Sequence, residues 1–264
     1  MKYSNIKLSE FIIEQNEIIQ PERIKVITDI YNFKHIPWRP YVCCPGNPNI
    51  HFNYKKIYFE LGDFSFTKNI YNRVNNNDII FATNNEVIDS NNVKSLPIGV
   101  TSTSHCNIIG NIDVIIKQFK KSKYIKNLVY MNFNPSTFPI ERNLVLNKFK
   151  NKDWVTNGSF KRTHQGHEKF IEQIYNHKFT LCPRGNGIDT HRLWTTLYLG
   201  SIPIVIYHKI MKPFEHLPIL FIRDWDEITE DFLEKKYIEI SSKIYDFSVL
   251  TMSYWKKQCE SIIP

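Results

Sequence analysis

The densest group of residues able to do chemistry lies in residues 179–207. An apolar run at 179–182 ends at Pro183, and the loop that follows contains Gly185 and Gly187. Glycine lets the backbone approach a bound molecule more closely than other residues allow. The pattern therefore predicts a buried strand that leads into a ligand-binding loop.

A helix is predicted to begin directly after this loop. Asp189 or Thr190 is the expected N-cap residue, and the first turn of a helix offers unpaired N–H groups and a positive dipole end. Arg184 lies in the loop, and His191 and Arg192 lie in the first turn. Such donors at a helix N-terminus suit a diphosphate group. The alternative is that Asp189 only caps the helix and pairs with Arg192 at the surface.

The rest of the chain must supply the elements that hold this loop in place. Short apolar runs predict strands at 24–28, 56–61, 79–82, 94–98, 128–133, 179–182, 201–207 and 217–222. Amphipathic stretches predict helices at 8–19, 111–120, 141–149, 168–176, 190–199, 226–236 and 238–263. Strands that alternate with helices in two runs indicate an α/β fold of two units with parallel sheets. A ligand is then expected at the carboxyl ends of the strands, between the units.

A polar, basic stretch at 119–127 separates the two runs and is the best candidate for a linker or hinge. We place the boundary there, which gives an N-terminal unit of residues 1–122 and a C-terminal unit of residues 123–264. A C-terminal helix is expected to cross back over the N-terminal unit.

Charge and apolar content limit the possible classes of protein. The chain of 264 residues has a formal net charge of +8, which is compatible with nucleic acid, an anionic membrane surface or a phosphate-bearing ligand. Lysines are spread along the chain and aromatic residues fall mostly in predicted core strands, so a nucleic-acid-binding module is disfavoured. Apolar runs are shorter than the ~18–20 residues of a membrane-spanning helix, and the N-terminus lacks a signal-peptide pattern. We therefore expect a cytoplasmic protein without a transmembrane segment.

The sequence does not favour a metal site. The five cysteines include an adjacent pair, Cys43 and Cys44, and show no CxxC spacing, so reduced and mostly buried thiols are expected. Asp224 and Asp226 form a DxD pattern, but they lie between a predicted strand and a predicted helix. Asp226 is accordingly interpreted as an N-cap residue.

The pattern in residues 183–205, PRGNGIDTHRLW followed by LYLGSIPIV, resembles the donor-sugar motif of exostosin-like glycosyltransferases. It is also similar to ribitol xylosyltransferase-type enzymes and to viral or bacterial glycosyltransferases. LVYMNFN at 128–134, followed by Arg142, looks like the strand and arginine that open the donor domain of this group. IIFATNNE at 79–86 and SLPIGV at 95–100 resemble weaker landmarks of the first half.

The resemblance implies a GT-B-like fold, in which two Rossmann-like units face each other across a cleft, with the acceptor on the N-terminal side. It implies transfer of a sugar from a UDP- or GDP-linked nucleotide sugar to a glycan or other hydroxyl acceptor, by inversion and without a metal or other cofactor. The donor-binding residues would be Arg142, Arg184, Gly185, Asn186, Gly187, Asp189, Thr190, His191, Arg192 and Thr195. Many relatives carry a glutamate where this chain has Thr195 and Thr196, so a non-catalytic nucleotide- or sugar-binding protein is the alternative.

An inverting transferase needs a general base near the acceptor hydroxyl. Glu86 is the first candidate because it follows the apolar strand at 79–82 in a polar loop, and Asp63 is the second because it follows a glycine at another strand end. His105 is a weaker candidate. Lys161 and Arg162 are candidates for closing over the donor, whereas His164 and His167 are interpreted as surface residues.

Overall fold

The computed structural model describes residues 2–24, 34–35, 57–60, 63–72, 78–101, 103, 108–125, 127–159 and 161–262. In chain order its strands are β1 (Ile6–Lys7), β2 (Lys34–His35), β3 (Ile57–Glu60), β4 (Ile79–Ala82), β5 (Val93–Ser95), β6 (Asn127–Met131), β7 (Val155–Asn157), β8 (His177–Leu181), β9 (Ile202–Ile206), β10 (Leu220–Ile222) and β11 (Ile244–Tyr245). Its helices are α1 (residues 21–24), α2 (Lys68–Tyr71), α3 (Asp113–Phe119), α4 (Pro139–Phe149), α5 (His164–Tyr175), α6 (His191–Tyr198), α7 (Glu230–Ser241) and α8 (Met252–Glu260). Short 3₁₀ helices lie at Leu8–Glu10, Gln15–Glu17, Pro135–Thr137, Lys209–Phe214, Trp225–Glu227 and Ser248–Leu250.

A five-stranded sheet forms the second half of the chain. Its order is β10-β9-β8-β6-β7, and each neighbouring pair is parallel. Parallel neighbours need a crossover connection, which α4, α5 and α6 supply from β6 to β9 in turn. The central strands β8 and β9 are buried along most of their length, as expected of a sheet covered on both faces.

A second, four-stranded parallel sheet has the order β2-β3-β4-β5. The structure is thus a mixed α/β fold with parallel sheets, as predicted, and it is consistent with a GT-B-like architecture. Phe81 and Leu96 from the first half of the chain share one contiguous apolar cluster with Val129, Phe179 and Ile204 of the five-stranded sheet. The division into units of 1–122 and 123–264 stays a prediction.

Residues 8–19 do not form the predicted helix. Two separate 3₁₀ turns, Leu8–Glu10 and Gln15–Glu17, lie in otherwise extended chain. Phe11 stacks on Phe247 with 4.1 Å between ring centroids, and the Ile19 N–H donates to the Tyr198 hydroxyl at 3.1 Å. These long-range contacts fix the segment in an extended form and outweigh its helical periodicity.

The single helical segment predicted at 238–263 is also wrong. The chain leaves α7 at Ser241, forms β11 and a 3₁₀ turn, and only then enters α8. β11 pairs antiparallel with β1, and the Phe247 N–H donates to the Tyr3 carbonyl at 2.8 Å. Pairing with β1 gives Ile244 and Tyr245 hydrogen-bonding partners in a strand, which interrupts the helix predicted there.

The other predicted elements differ mainly at their ends. Strand β5 stops at Ser95, before Pro97, which has no N–H to give to a ladder, and β7 was not predicted. The predicted strand at 24–28 lies outside the described residues except for Ile24, which belongs to α1. Among the described residues no helix has the length and apolar character needed to cross a membrane.

Candidate active site

A cleft of about 190 Å³ opens where β6 and β8 end and α6 begins. The carboxyl ends of neighbouring parallel strands meet at one edge of a sheet, which is where α/β folds bind ligands. Loops from both halves of the chain form its walls. They contribute Asp63, Thr101, Ile109, Asn132, Thr137, Arg142, Lys161, Gly166, His167, Phe170, Gly185, Asn186, Gly187, Asp189, Thr190, His191, Arg192 and Thr195.

Two arginines of the cleft wall converge on one aromatic ring. The guanidinium carbons of Arg142 and Arg192 each lie 5.7 Å from the centroid of the Phe133 ring. Within the described part of the chain, no carboxylate oxygen lies within 4.0 Å of either group, and the Nε of Arg192 has no hydrogen-bond partner. The cleft therefore holds two positive charges that no described carboxylate neutralises directly.

Backbone carbonyls hold Arg142 in place. Its Nε donates to the Arg184 carbonyl and its Nη1 to the Asn134 carbonyl, both at 2.8 Å. Burial, and secondly the charge of Arg192, lower the pKa of Arg142 to about 10, and burial lowers the pKa of Arg192. A guanidinium stays protonated at neutral pH, so an anion entering the cleft would relieve the repulsion between the two groups.

Arg184 is placed differently from the other predicted donor-binding residues. Its guanidinium lies over the Phe138 ring, 4.5 Å from the centroid, and donates to the Asn186 carbonyl at 3.4 Å. The residue is not part of the cleft wall, although its carbonyl positions Arg142. Contact between the Arg184 side chain and a diphosphate stays a prediction.

Of the two N-cap residues expected from the sequence, Asp189 or Thr190, the structure has Thr190. The Thr190 side chain makes no capping bond. Asp189 is buried: one carboxylate oxygen accepts from the Ile98 N–H at 2.9 Å and the other from the Trp194 indole N–H at 2.5 Å. Burial raises its pKa to about 7. The carboxylate thus joins the loop to the chain after β5. The alternative, a surface pair of Asp189 with Arg192, is absent from the ion pairs of the described residues.

His191 lies between the two halves of the chain. Its Nδ1 is 2.8 Å from the Gly99 carbonyl, which can only accept, so Nδ1 carries the proton. Its Nε2 lies 3.6 Å from the Asp63 carboxylate. Asp63 and His191 therefore face each other across the cleft.

Only one of the two candidate bases belongs to the cleft wall. Asp63 contributes to the wall, whereas Glu86 does not; the Glu86 N–H donates to the Phe66 carbonyl at 3.0 Å. His105 lies outside the described residues. Lys161 belongs to the wall and Arg162 does not.

The two loop glycines have different neighbours. A Cβ on Gly185 would lie 3.0 Å from Nη2 of Arg142, a side-chain atom rather than backbone. A Cβ on Gly187 would lie 2.2 Å from the Asp63 carbonyl oxygen and 2.6 Å from the side-chain oxygen and nitrogen of Asn84. Gly187 therefore allows a close approach of the loop to the first half of the chain.

The sequence analysis misread one wall residue, His167, and missed six others: Thr101, Ile109, Asn132, Thr137, Gly166 and Phe170. Asn132 directly follows β6 and is 4% exposed, and its position at a strand end was the available signal. His167 was interpreted as a surface residue, but it is 5% exposed. It shares one face of α5 with Ile171 and Ile174, and this spacing of four and three residues indicated burial.

The aspartates of the DxD pattern have structural partners. Asp224, rather than Asp226, is the N-cap residue, and it forms a capping box with Glu227. Asp226 pairs with Lys148. In the described ranges no group of three or more histidine, cysteine, aspartate or glutamate residues is arranged to hold a metal ion. Cys182 and Cys259 are buried free thiols, and the other cysteines lie outside those ranges.

Comparison with protein families matches the exostosin GT47 domain to residues 72–236. The match covers more than half of the chain and includes β6, β8, the loop at 183–190 and α6. Comparison with curated proteins gives no match. GT47 is a glycosyltransferase family, and such enzymes bind a nucleotide sugar and a glycan acceptor. Viral or bacterial relatives remain a prediction. The chain belongs to the exostosin GT47 family of glycosyltransferases.

Proposed function

We propose that this protein moves a sugar from a UDP- or GDP-linked donor to a hydroxyl of a glycan or similar acceptor, with inversion at the anomeric carbon. The observation that carries the proposal is the pair of guanidinium groups, Arg142 and Arg192, at Phe133 without a described carboxylate partner. When the donor's glycosidic bond breaks, negative charge develops on the leaving diphosphate. Fixed cations and the N-terminus of α6 would stabilise that charge.

The reaction is a single displacement. The acceptor oxygen attacks the anomeric carbon, the bond from that carbon to the diphosphate oxygen breaks, and its electron pair leaves with the nucleoside diphosphate. The acceptor proton passes to a carboxylate. Asp63, in the cleft wall, is the better placed of the two predicted bases.

We also propose that the two parallel sheets form two units, with the acceptor on the N-terminal side, and that transfer needs no divalent metal. Arg142 and Arg192 supply the positive charge that a metal would otherwise contribute at the diphosphate. Transfer that continues in excess chelator would support this view, and loss of transfer that a divalent ion restores would refute it.

Replacing Arg192 with methionine tests the diphosphate site. The substitution keeps most of the apolar stem and removes a charge-assisted contact worth about 1.5–3 kcal/mol. UDP or GDP should then bind roughly 10- to 150-fold more weakly by titration calorimetry.

Arg223→Met is the matched control because Arg223 is exposed and lies outside the cleft wall. Unchanged nucleotide affinity in a folded Arg192→Met protein would contradict the assignment. If the wild-type protein binds nucleotides but transfers no sugar, the non-catalytic binding protein becomes the better description.

A further inference from the structure

Two buried hydrogen-bond acceptors in the cleft wall have no partner among the described residues. They are Oδ1 of Asn132, a residue that is 4% exposed, and Nδ1 of His167, a residue that is 5% exposed. Solvent does not reach either atom. A buried polar atom without a partner costs free energy, so such atoms call for an explanation.

The contacts of each side chain identify the unpaired atom as an acceptor. The Asn132 amide nitrogen donates to the Tyr130 hydroxyl at 2.7 Å and to the Ser159 carbonyl at 3.4 Å, which leaves its oxygen unpaired. Nε2 of His167 lies 3.4 Å from the Asn111 carbonyl, which can only accept. The proton is thus on Nε2 and the lone pair on Nδ1. Burial lowers the pKa of His167, so the ring is neutral at pH 7.

Asn132 and His167 offer neutral hydrogen-bond acceptors, whereas Arg142 and Arg192 offer charged donors. The diphosphate of a nucleotide sugar carries no proton at neutral pH and only accepts hydrogen bonds, so it suits Arg142 and Arg192 but not two neutral acceptors. Hydroxyl groups can donate to such acceptors. Phe170 belongs to the same wall and stacks on His167 with 6.4 Å between ring centroids, which offers an apolar surface for the C–H face of a sugar ring.

We propose that Asn132 and His167 form a subsite that accepts hydrogen bonds from a neutral, hydroxyl-bearing part of the donor, either its ribose or the transferred sugar. The inference rests on the proposed function and adds the residues that select the donor. Both residues belong to the cleft wall, so rotation of each side chain on ligand entry would bring its acceptor to a hydroxyl.

His167→Phe and Asn132→Leu test the subsite because each removes the acceptor and keeps a side chain of similar size. His167→Phe is the principal variant, since Asn132→Leu also removes the amide donor to Tyr130 and Ser159. The probes are pyrophosphate, UDP, GDP, their 2′-deoxy forms, UDP-glucose and GDP-mannose, measured by calorimetry against wild type. Pyrophosphate should bind the variants as it binds wild type, because it engages the arginines alone. Hydroxyl-bearing probes should bind about 5- to 10-fold more weakly, the loss expected for one hydrogen bond.

The readouts separate the possible sources of the hydroxyl. If the variants bind UDP or GDP more weakly than wild type does but bind the 2′-deoxy forms equally well, the subsite contacts the ribose. If they bind only UDP-glucose or GDP-mannose more weakly than wild type does, the subsite contacts the transferred sugar. His167→Phe also loses the 3.4 Å contact of Nε2 with the Asn111 carbonyl, so its melting temperature is measured beside the affinities. A lower melting temperature with unchanged affinities would indicate a purely structural histidine. Equal affinities for every probe in folded variants overturn the subsite alone. A wild-type protein that binds none of the probes overturns the proposed function as well.

Discussion

At the scale of single residues, Asp63 and His191 couple the proposed base to the proposed diphosphate site. His191 is fixed from one side by the Gly99 carbonyl, and its other nitrogen faces the Asp63 carboxylate at 3.6 Å. If Asp63 takes the acceptor proton during transfer, that proton lies next to His191, the first residue of α6. This proximity favours Asp63 over Glu86 as the base.

Asp63→Asn should lower the transfer rate by about 100- to 10,000-fold, the usual contribution of a general base. Affinity for the nucleotide should be kept or raised, because the substitution removes a negative charge near the diphosphate. Steady-state rates and calorimetry on the same preparation measure both effects. Glu86→Gln is the control and should transfer at the wild-type rate; a wild-type rate in Asp63→Asn would show that the base lies elsewhere.

Asp189 gives stability a dependence on pH. Burial raises its pKa to about 7 in the folded protein from 3.8 in the unfolded chain. Between these values the folded protein holds a proton that the unfolded chain has lost, so this residue's contribution to stability is fully present below pH 4 and is lost as the pH rises through 7.

The comparison that isolates this effect is wild type against Asp189→Asn in urea denaturation at several pH values. The wild-type free energy of unfolding minus that of the variant should fall by up to about 1.4 kcal/mol per pH unit between pH 4 and 7. A difference that is flat with pH, or that grows as the pH rises, would mean that Asp189 is not protonated in the folded protein at pH 5–6.

At the scale of elements, the two glycines of the loop at 183–190 make different contacts: Gly187 packs against the first half of the chain, and Gly185 lies against Arg142. Gly187→Ala should destabilise the protein by about 1–3 kcal/mol, because its Cβ would overlap the Asp63 carbonyl and the Asn84 side chain. Gly185→Ala is the matched control: it should leave the free energy of unfolding nearly unchanged but weaken diphosphate binding by displacing Nη2 of Arg142. Denaturation and calorimetry on both variants check this. Equal stability of the two variants would contradict the close packing of Gly187.

The order of elements around this loop was predictable because β8, α6 and β9 carry uninterrupted local patterns. The apolar runs that predict the two strands and the turn residues that end them are local signals, which depend only on neighbours in the sequence. Residues 8–19 were not predictable, since their extended form depends on Phe247 and Tyr198, more than 170 residues away. Likewise, the loop sequence indicated cations near a helix start, but the meeting of Arg142 and Arg192 at Phe133 depends on how three elements pack.

At the scale of the whole molecule, α8 links the C-terminal end of the chain to the first parallel sheet. Trp255 is 4% exposed, packs edge-on against Phe81 of β4 with 6.0 Å between ring centroids, and donates to the Val249 carbonyl at 2.9 Å. The same apolar cluster continues into the five-stranded sheet. The packing therefore predicts that both sheets unfold together.

Trp255→Ala should lower the free energy of unfolding by about 3–5 kcal/mol, the usual loss for a large buried aromatic side chain. The transition should stay single, with midpoints that coincide by circular dichroism and tryptophan fluorescence. Lys256→Ala, an exposed neighbour on the same helix, should change stability by less than about 0.5 kcal/mol. Two separate transitions would show that the sheets unfold independently.

The pairing of β1 with β11 also sets an order of events during protein synthesis. Ile6 leaves the ribosome early, but its partner Tyr245 is made almost 240 residues later. All strands of the five-stranded sheet are synthesised before Tyr245, whereas β1 has no native partner until β11 is made. Contacts so distant in sequence form slowly, so we expect β1 to pair with β11 only after the five-stranded sheet has formed.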